Sequence, residues 1–85
     1  MNESTIHPDE FYKWIIVIDR GVFLTFLTDK ENDTIYIKLS NRFDSKESAV
    51  LVANKYRSQN PEEKVKVMTY FDADRFNRQL QLRFS

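Results

Sequence analysis

The chain has 85 residues, one domain's worth, with thirteen basic and thirteen acidic side chains, one glycine and no cysteine. The missing thiols exclude disulfides and thiolate metal sites, and the single glycine excludes a glycine-rich phosphate loop. Balanced charge argues against an acidic DNA mimic and a strongly basic nucleic-acid binder, and the absence of disulfides favours a cytoplasmic location.

The balance hides an asymmetry. Residues 1–40 carry four basic and seven acidic side chains, whereas residues 41–85 carry nine basic and six acidic ones. Two halves of opposite charge attract each other within one fold. Residues 1–9 are polar and lack periodicity, which predicts a flexible tail ahead of a single domain over residues 10–85. This start has neither a basic stretch nor an apolar core, so no leader peptide is expected. The longest apolar run, Trp14 to Ile18, is far short of the roughly 18 residues a membrane helix needs.

Phe11 to Ile18 is aromatic and β-branched, which favours a strand. Asp19-Arg20-Gly21 then predicts a tight turn with positive φ at the glycine. Val22 to Thr28 reads as the partner strand of a hairpin. After the polar turn Asp29 to Asp33, Thr34 to Leu39 alternates: Ile35, Ile37 and Leu39 on one face, Thr34, Tyr36 and Lys38 on the other. That is the period of a half-buried strand. Connections this short imply an antiparallel meander.

Asp44, with Glu47 three residues on, predicts a capped helix start, and Ser45 is the alternative cap. Ala49, Val52, Ala53 and Tyr56 fall on one helical face, with Phe43 placed to staple onto it. Asn60-Pro61 ends the helix near Ser58-Gln59. Lys64 to Tyr70 reads as a fourth strand with Val65 and Val67 on one face, and Asp72-Ala73-Asp74 as a turn. The last segment fits two periods. Leu80, Leu82 and Phe84 alternate as in a strand, whereas Phe76, Leu80 and Phe84 are spaced by four as in a helix. The longer alternation favours a final strand. The fold expected is α+β: an antiparallel four- or five-stranded sheet in the order β-β-β-α-β-β, with one helix packed on one face.

No pattern supports catalysis. His7 is the only histidine and falls in the predicted tail, where positioning for nucleophilic or acid–base work is poor. Asp29, Glu31 and Asp33 open like a calcium loop, but Thr34 and Ser40 stand where glycine and glutamate are needed. Asp72 and Asp74 lack a third ligand or nearby histidine, and turn chemistry accounts for them. Neither cofactor nor metal is expected.

Two surfaces are candidates for binding. The hairpin is apolar on both sides, with Tyr12, Trp14, Ile16 and Ile18 on one face. Phe11, Ile15 and Val17 lie on the other face of the first strand, and Phe23 and Leu27 lie on the second strand. One helix covers only one face of a sheet. The remaining face, taken as Phe11, Ile15, Val17, Phe23 and Leu27, then needs the C-terminal segment, a second copy of the chain, or a partner protein. The second candidate is a basic patch of Lys64, Lys66, Tyr70, Arg75 and Arg78, since basic and aromatic residues interleaved on a sheet bind single-stranded nucleic acid.

The hairpin with Gly21-Val22-Phe23-Leu24, then Asn41-Arg42-Phe43-Asp44-Ser45-Lys46-Glu47-Ser48-Ala49 opening a helix, then a short strand, resembles small accessory proteins encoded by phages and prophages of Gram-positive bacteria. The resemblance spans roughly residues 12–70 and implies a role in the host cytoplasm, often binding and inhibiting a bacterial protein. The expectation is therefore a non-enzymatic protein-binding module, such as an inhibitor of a host or defence protein of the CRISPR-effector kind. A small nucleic-acid-binding module using the basic C-terminal half is the alternative.

Overall fold

The computed structural model describes residues 8–84, with the side chains described to Arg83. The predicted tail thus falls almost wholly outside the described residues. Pro8–Tyr12 form a 3-10 turn, followed by strand β1 (Trp14–Asp19), β2 (Leu24–Leu27), the two-residue β3 (Asp33–Thr34) and helix α1 (Lys46–Gln59). Strand β4 (Lys64–Thr69) then runs directly into helix α2 (Tyr70–Phe84). The four strands form one antiparallel sheet in the order β3-β2-β1-β4. The fold is α+β, as the sequence implies.

β1 is the axis of the molecule. It pairs with β2 (Val17 opposite Phe26) on one side and along its full length with β4 (Trp14 opposite Thr69 to Asp19 opposite Lys64) on the other. Ile15, Ile16, Val17 and Ile18 are all fully buried, so both faces of this strand point into packed layers. Continuous burial explains why the segment reads as an unbroken apolar run rather than an alternating one.

α1 covers one face. Ala49 and Ala53 are fully buried against Ile16, Ile18, Leu27 and Val65, with Trp14, Phe43, Val52, Tyr56 and Val67 at the margin. Small residues on the inner stripe let the helix sit close to the sheet. The cap differs in detail from the first choice. Ser45 is the N-cap, its hydroxyl accepting the Ser48 N–H at 3.2 Å, while the Asp44 carboxylate accepts from Lys13 Nζ at 2.7 Å. Phe43 exchanges backbone hydrogen bonds with Trp14, which fixes the approach of α1 to the end of β1.

α2 covers the other face, and here the structure corrects the sequence reading. Residues 70–84 are one helix, not a turn and a final strand. Tyr70, Ala73 and Leu80 are buried against Ile15, Val17, Leu24 and Phe26, with Phe11, Ile37, Met68 and Phe76 packed around them. Asp72 lies in the first turn, where a carboxylate suits the helix dipole, and its N–H is capped by Thr69 Oγ1 at 3.2 Å. The physical reason is coverage. A fifth strand would have lengthened the sheet and left this face bare, whereas a helix buries Ala73 and Leu80 on it and leaves Leu82 81% exposed.

The third strand is also shorter than its alternation predicts. Past Thr34 the Tyr36 N–H donates to Thr34 Oγ1 at 3.1 Å, and a 3-10 turn over Ile37–Leu39 follows. The local hydroxyl offers the backbone a bond that competes with the ladder. Ile35 and Leu39 end up exposed, while Ile37 packs inward. At the start of the chain, Phe11 lies in the 3-10 turn rather than in β1.

Candidate functional site

The polar side chains mostly hold the scaffold together. Arg20, just past β1, donates to Asp33 Oδ2 at 2.8 Å and Glu63 Oε1 at 2.6 Å, tying the β1–β2 turn to β3 and to the approach to β4. This guanidinium holds the Asp33 carboxyl below the usual carboxylate range. The Asp19 carboxyl is lowered by the Gly21 N–H (2.9 Å), with Lys66 adding to the effect. Lys13 lowers Asp44 in the same sense, and its own ammonium is raised. Gly21 adopts a φ of +92°, the left-handed turn geometry the sequence predicts.

None of the acidic candidates assembles into a chemical site. Asp33 is committed to Arg20, Glu31 lies 3.7 Å from Lys55, and Asp74 pairs with Arg78 at 3.1 Å one helical turn on. Among the described residues no three metal-ligating side chains converge. His7 lies outside the described residues.

The predicted basic patch is dispersed. Tyr70 is buried, its ring 5.9 Å from Phe11 and beneath the Arg42 guanidinium, and burial raises its phenol while Arg42 pulls it the other way. Lys66 leans on Phe76 and reaches Asp19 at 3.4 Å. Arg75 lies over Phe71, and Arg78 is held by Asp74. Lys64 alone of the five has, among the described residues, neither an ion pair nor an aromatic ring beneath it, though its charge helps to lower Asp19.

The predicted apolar hairpin face is not a surface. Ile15 and Val17 are fully buried beneath α2, and Phe11 is half-buried beside Tyr70. Leu27 belongs to the opposite face. The register sets Val17 opposite Phe26, so odd positions of β1 share a face with even positions of β2, and Leu27 packs with Ile16 and Ile18 under α1. Of the five residues, Phe23 alone is largely open, at 45% exposure.

Phe23 leads to the groove that sequence reasoning missed. At the end of the sheet next to the Gly21 turn, a cleft of about 370 Å³ opens between the hairpin tip and the C-terminal half of α2. Val22, Phe23, Ile35 and Tyr36 form its rim, each between 45% and 63% exposed. Leu24 and Leu80 form its buried floor, and the carboxamides of Asn77 and Gln81 edge it. No ionisable side chain but the Tyr36 phenol lines it, in a chain that is 31% charged. The interrupted strand creates it: where β3 stops at Thr34, the chain bends and turns Ile35 and Tyr36 outward. A sequence signal was present in Thr34, a hydroxyl that ends the ladder, but the alternation after it was the stronger pattern.

No family model, curated protein or solved structure matches this chain. No helix among the described residues is long and apolar enough to cross a membrane.

Proposed function

We propose that this protein is a non-enzymatic protein-binding module that engages its partner through the groove at the hairpin tip. The observation that carries this reading is the convergence of four exposed apolar side chains, Val22, Phe23, Ile35 and Tyr36, around one uncharged cleft. At their fractional exposures the four residues present roughly 400 Å² of surface, the backbone and the Tyr36 hydroxyl included. Contiguous patches of that size on small proteins are commonly functional. It is about half of what one side of a standard interface buries. The groove is therefore the anchoring centre of an interface whose polar rim comes from the surrounding surface. Aromatic anchors in such a setting supply most of the binding energy.

The kind of partner follows from the resemblance to phage-encoded accessory proteins: a bacterial host or defence protein, held by occupation of its surface rather than altered by chemistry. The nucleic-acid alternative draws no support from the placement of Lys66, Tyr70, Arg75 and Arg78, each engaged elsewhere. Affinity capture from bacterial lysate tests the proposal with three forms of the protein. The wild type and Leu51→Ser, which alters an exposed leucine on α1 away from the groove, retain one stoichiometric protein; Phe23→Ser loses it. A partner that all three retain equally, or none at all, removes the proposal.

A further inference from the structure

A second surface is defined by backbone rather than side chains. β4 ends the strand order, with β1 on one side and, among the described residues, no strand on the other. The direction of its peptide groups follows from neighbouring bonds. The Tyr70 N–H donates to the Lys13 carbonyl at 2.8 Å, toward the β1 side, whereas Trp14 exchanges its two bonds with Phe43 on the far edge of β1. In an antiparallel ladder this alternation points Lys64, Lys66 and Met68 toward β1 and Val65, Val67 and Thr69 away from it.

The outward edge is unequal in donors and acceptors. The Val65 carbonyl already accepts Arg57 Nη2 at 2.7 Å, and Arg57 is steadied by Asn54 Oδ1 at 2.7 Å. Thr69 immediately precedes α2, so its carbonyl takes the first intrahelical bond. Among the described residues, three N–H donors (Val65, Val67, Thr69) remain without a partner, with a single open carbonyl, that of Val67. The side chains sort by face in the same register. Lys64 and Lys66 stand on the α2 face, where Lys66 lies over Phe76, and Val65 and Val67 on the α1 face.

We infer that the β4 edge binds an extended acidic segment of another protein, which adds as a fifth, antiparallel strand opposite Val67. Strand addition to a sheet edge draws its affinity from main-chain bonds and its specificity from alternate side chains. The charge sets the chemistry: carboxylates on the α2 face meet Lys64 and compete with Asp19 for Lys66, and β-branched apolar residues on the α1 face extend the row of Val65 and Val67. A second copy of the chain is the poorer occupant. It would bring the same two lysines and the same two occupied carbonyls to an edge already rich in donors. This surface is separate from the hairpin-tip groove, and its test is independent of that one.

The probe is a capped heptapeptide alternating glutamate and valine, titrated into 15N-labelled protein, with its lysine–valine counterpart and an oligothymidylate as controls. Saturable shifts and slowed exchange confined to the Val65, Val67 and Thr69 amides are expected with the acidic peptide alone. Lys64→Gln, which removes one exposed charge, raises the apparent Kd about two- to fivefold, the range of one exposed charge pair. Phe23→Ser leaves this binding unchanged. The inference is overturned by no shift at millimolar peptide, by an equal response to the lysine peptide or the oligonucleotide, by shifts that map to other amides, or by concentration-dependent dimerisation through these amides.

Discussion

Leu80 and Leu82 differ by two positions and would share a face in a strand, yet in α2 one is buried and the other 81% exposed. Replacing each by alanine therefore separates the two geometries. Leucine and alanine are both good helix formers, so intrinsic propensity contributes little at either site. Leu80 packs under the helix against Ile15, Val17, Leu24 and Phe26, retaining 7% exposure where it floors the groove. Buried leucine-to-alanine changes cost about 2–5 kcal/mol. A site next to an open groove relaxes more readily than a closed core, which places Leu80→Ala near the lower end, about 2–3 kcal/mol. Leu82→Ala falls within about 0.5 kcal/mol of the wild type. For a chain of this length total stability is roughly 4–13 kcal/mol, so the first variant loses a large fraction of it. Urea unfolding followed by Trp14 fluorescence reads both, because Trp14 borders the opposite layer and reports global unfolding. Unchanged m-values and a lowered midpoint for Leu80→Ala alone are expected. Equal losses for the two variants would refute the helical cover.

Ser45→Ala costs about 1 kcal/mol in the same assay, and Asp44→Ala costs less, because Ser45 caps α1 and Asp44 only meets Lys13 at the surface. Gly21→Ala costs about 1–2 kcal/mol through its positive φ alone, since an added Cβ meets nothing within 4 Å, and a D-alanine made by chemical synthesis at this position restores stability. Asp33 has a carboxyl pKa lowered by Arg20 in the folded state. Its contribution is complete above the unfolded value of about 3.9 and disappears as pH falls through the lower folded value. Urea midpoints measured from pH 2 to 7 therefore drop below about pH 4, and Asp33→Asn flattens part of that drop while lowering the plateau. A plateau unchanged by Asp33→Asn contradicts the pairing with Arg20.

The elements with one dominant signal were legible in the sequence. The β1–β2 hairpin with its glycine turn, the α1 face of Ala49, Val52, Ala53 and Tyr56, and β4 with Val65 and Val67 toward α1 all formed where local pattern and tertiary need agree. Residues 70–84 carried two periods, and the choice between them depended on a non-local fact: the Ile15 and Val17 face had no other cover. The surplus of apolar hairpin surface was visible in the sequence, but its solution lay in the C-terminal segment. The groove was illegible for a related reason. Ile35 reads as core by alternation, and only the turn after Thr34, decided by a side-chain hydroxyl, throws it outward. Register did the rest, since the parity of β1 against β2 separates Leu27 from Ile15.

The central place of β1 bears on how the chain acquires its structure. Its partner β2 follows within a few residues, but its other partner lies far along the sequence, with Trp14 opposite Thr69. The helix that shields its second face, Tyr70–Phe84, follows that partner directly in the chain. A nascent chain lacking those residues leaves Ile15 and Val17 without the helix that buries them. The fold is therefore completed only once residues 70–84 have left the ribosome, and products ending before Tyr70 are candidates for aggregation and proteolysis rather than partly active fragments.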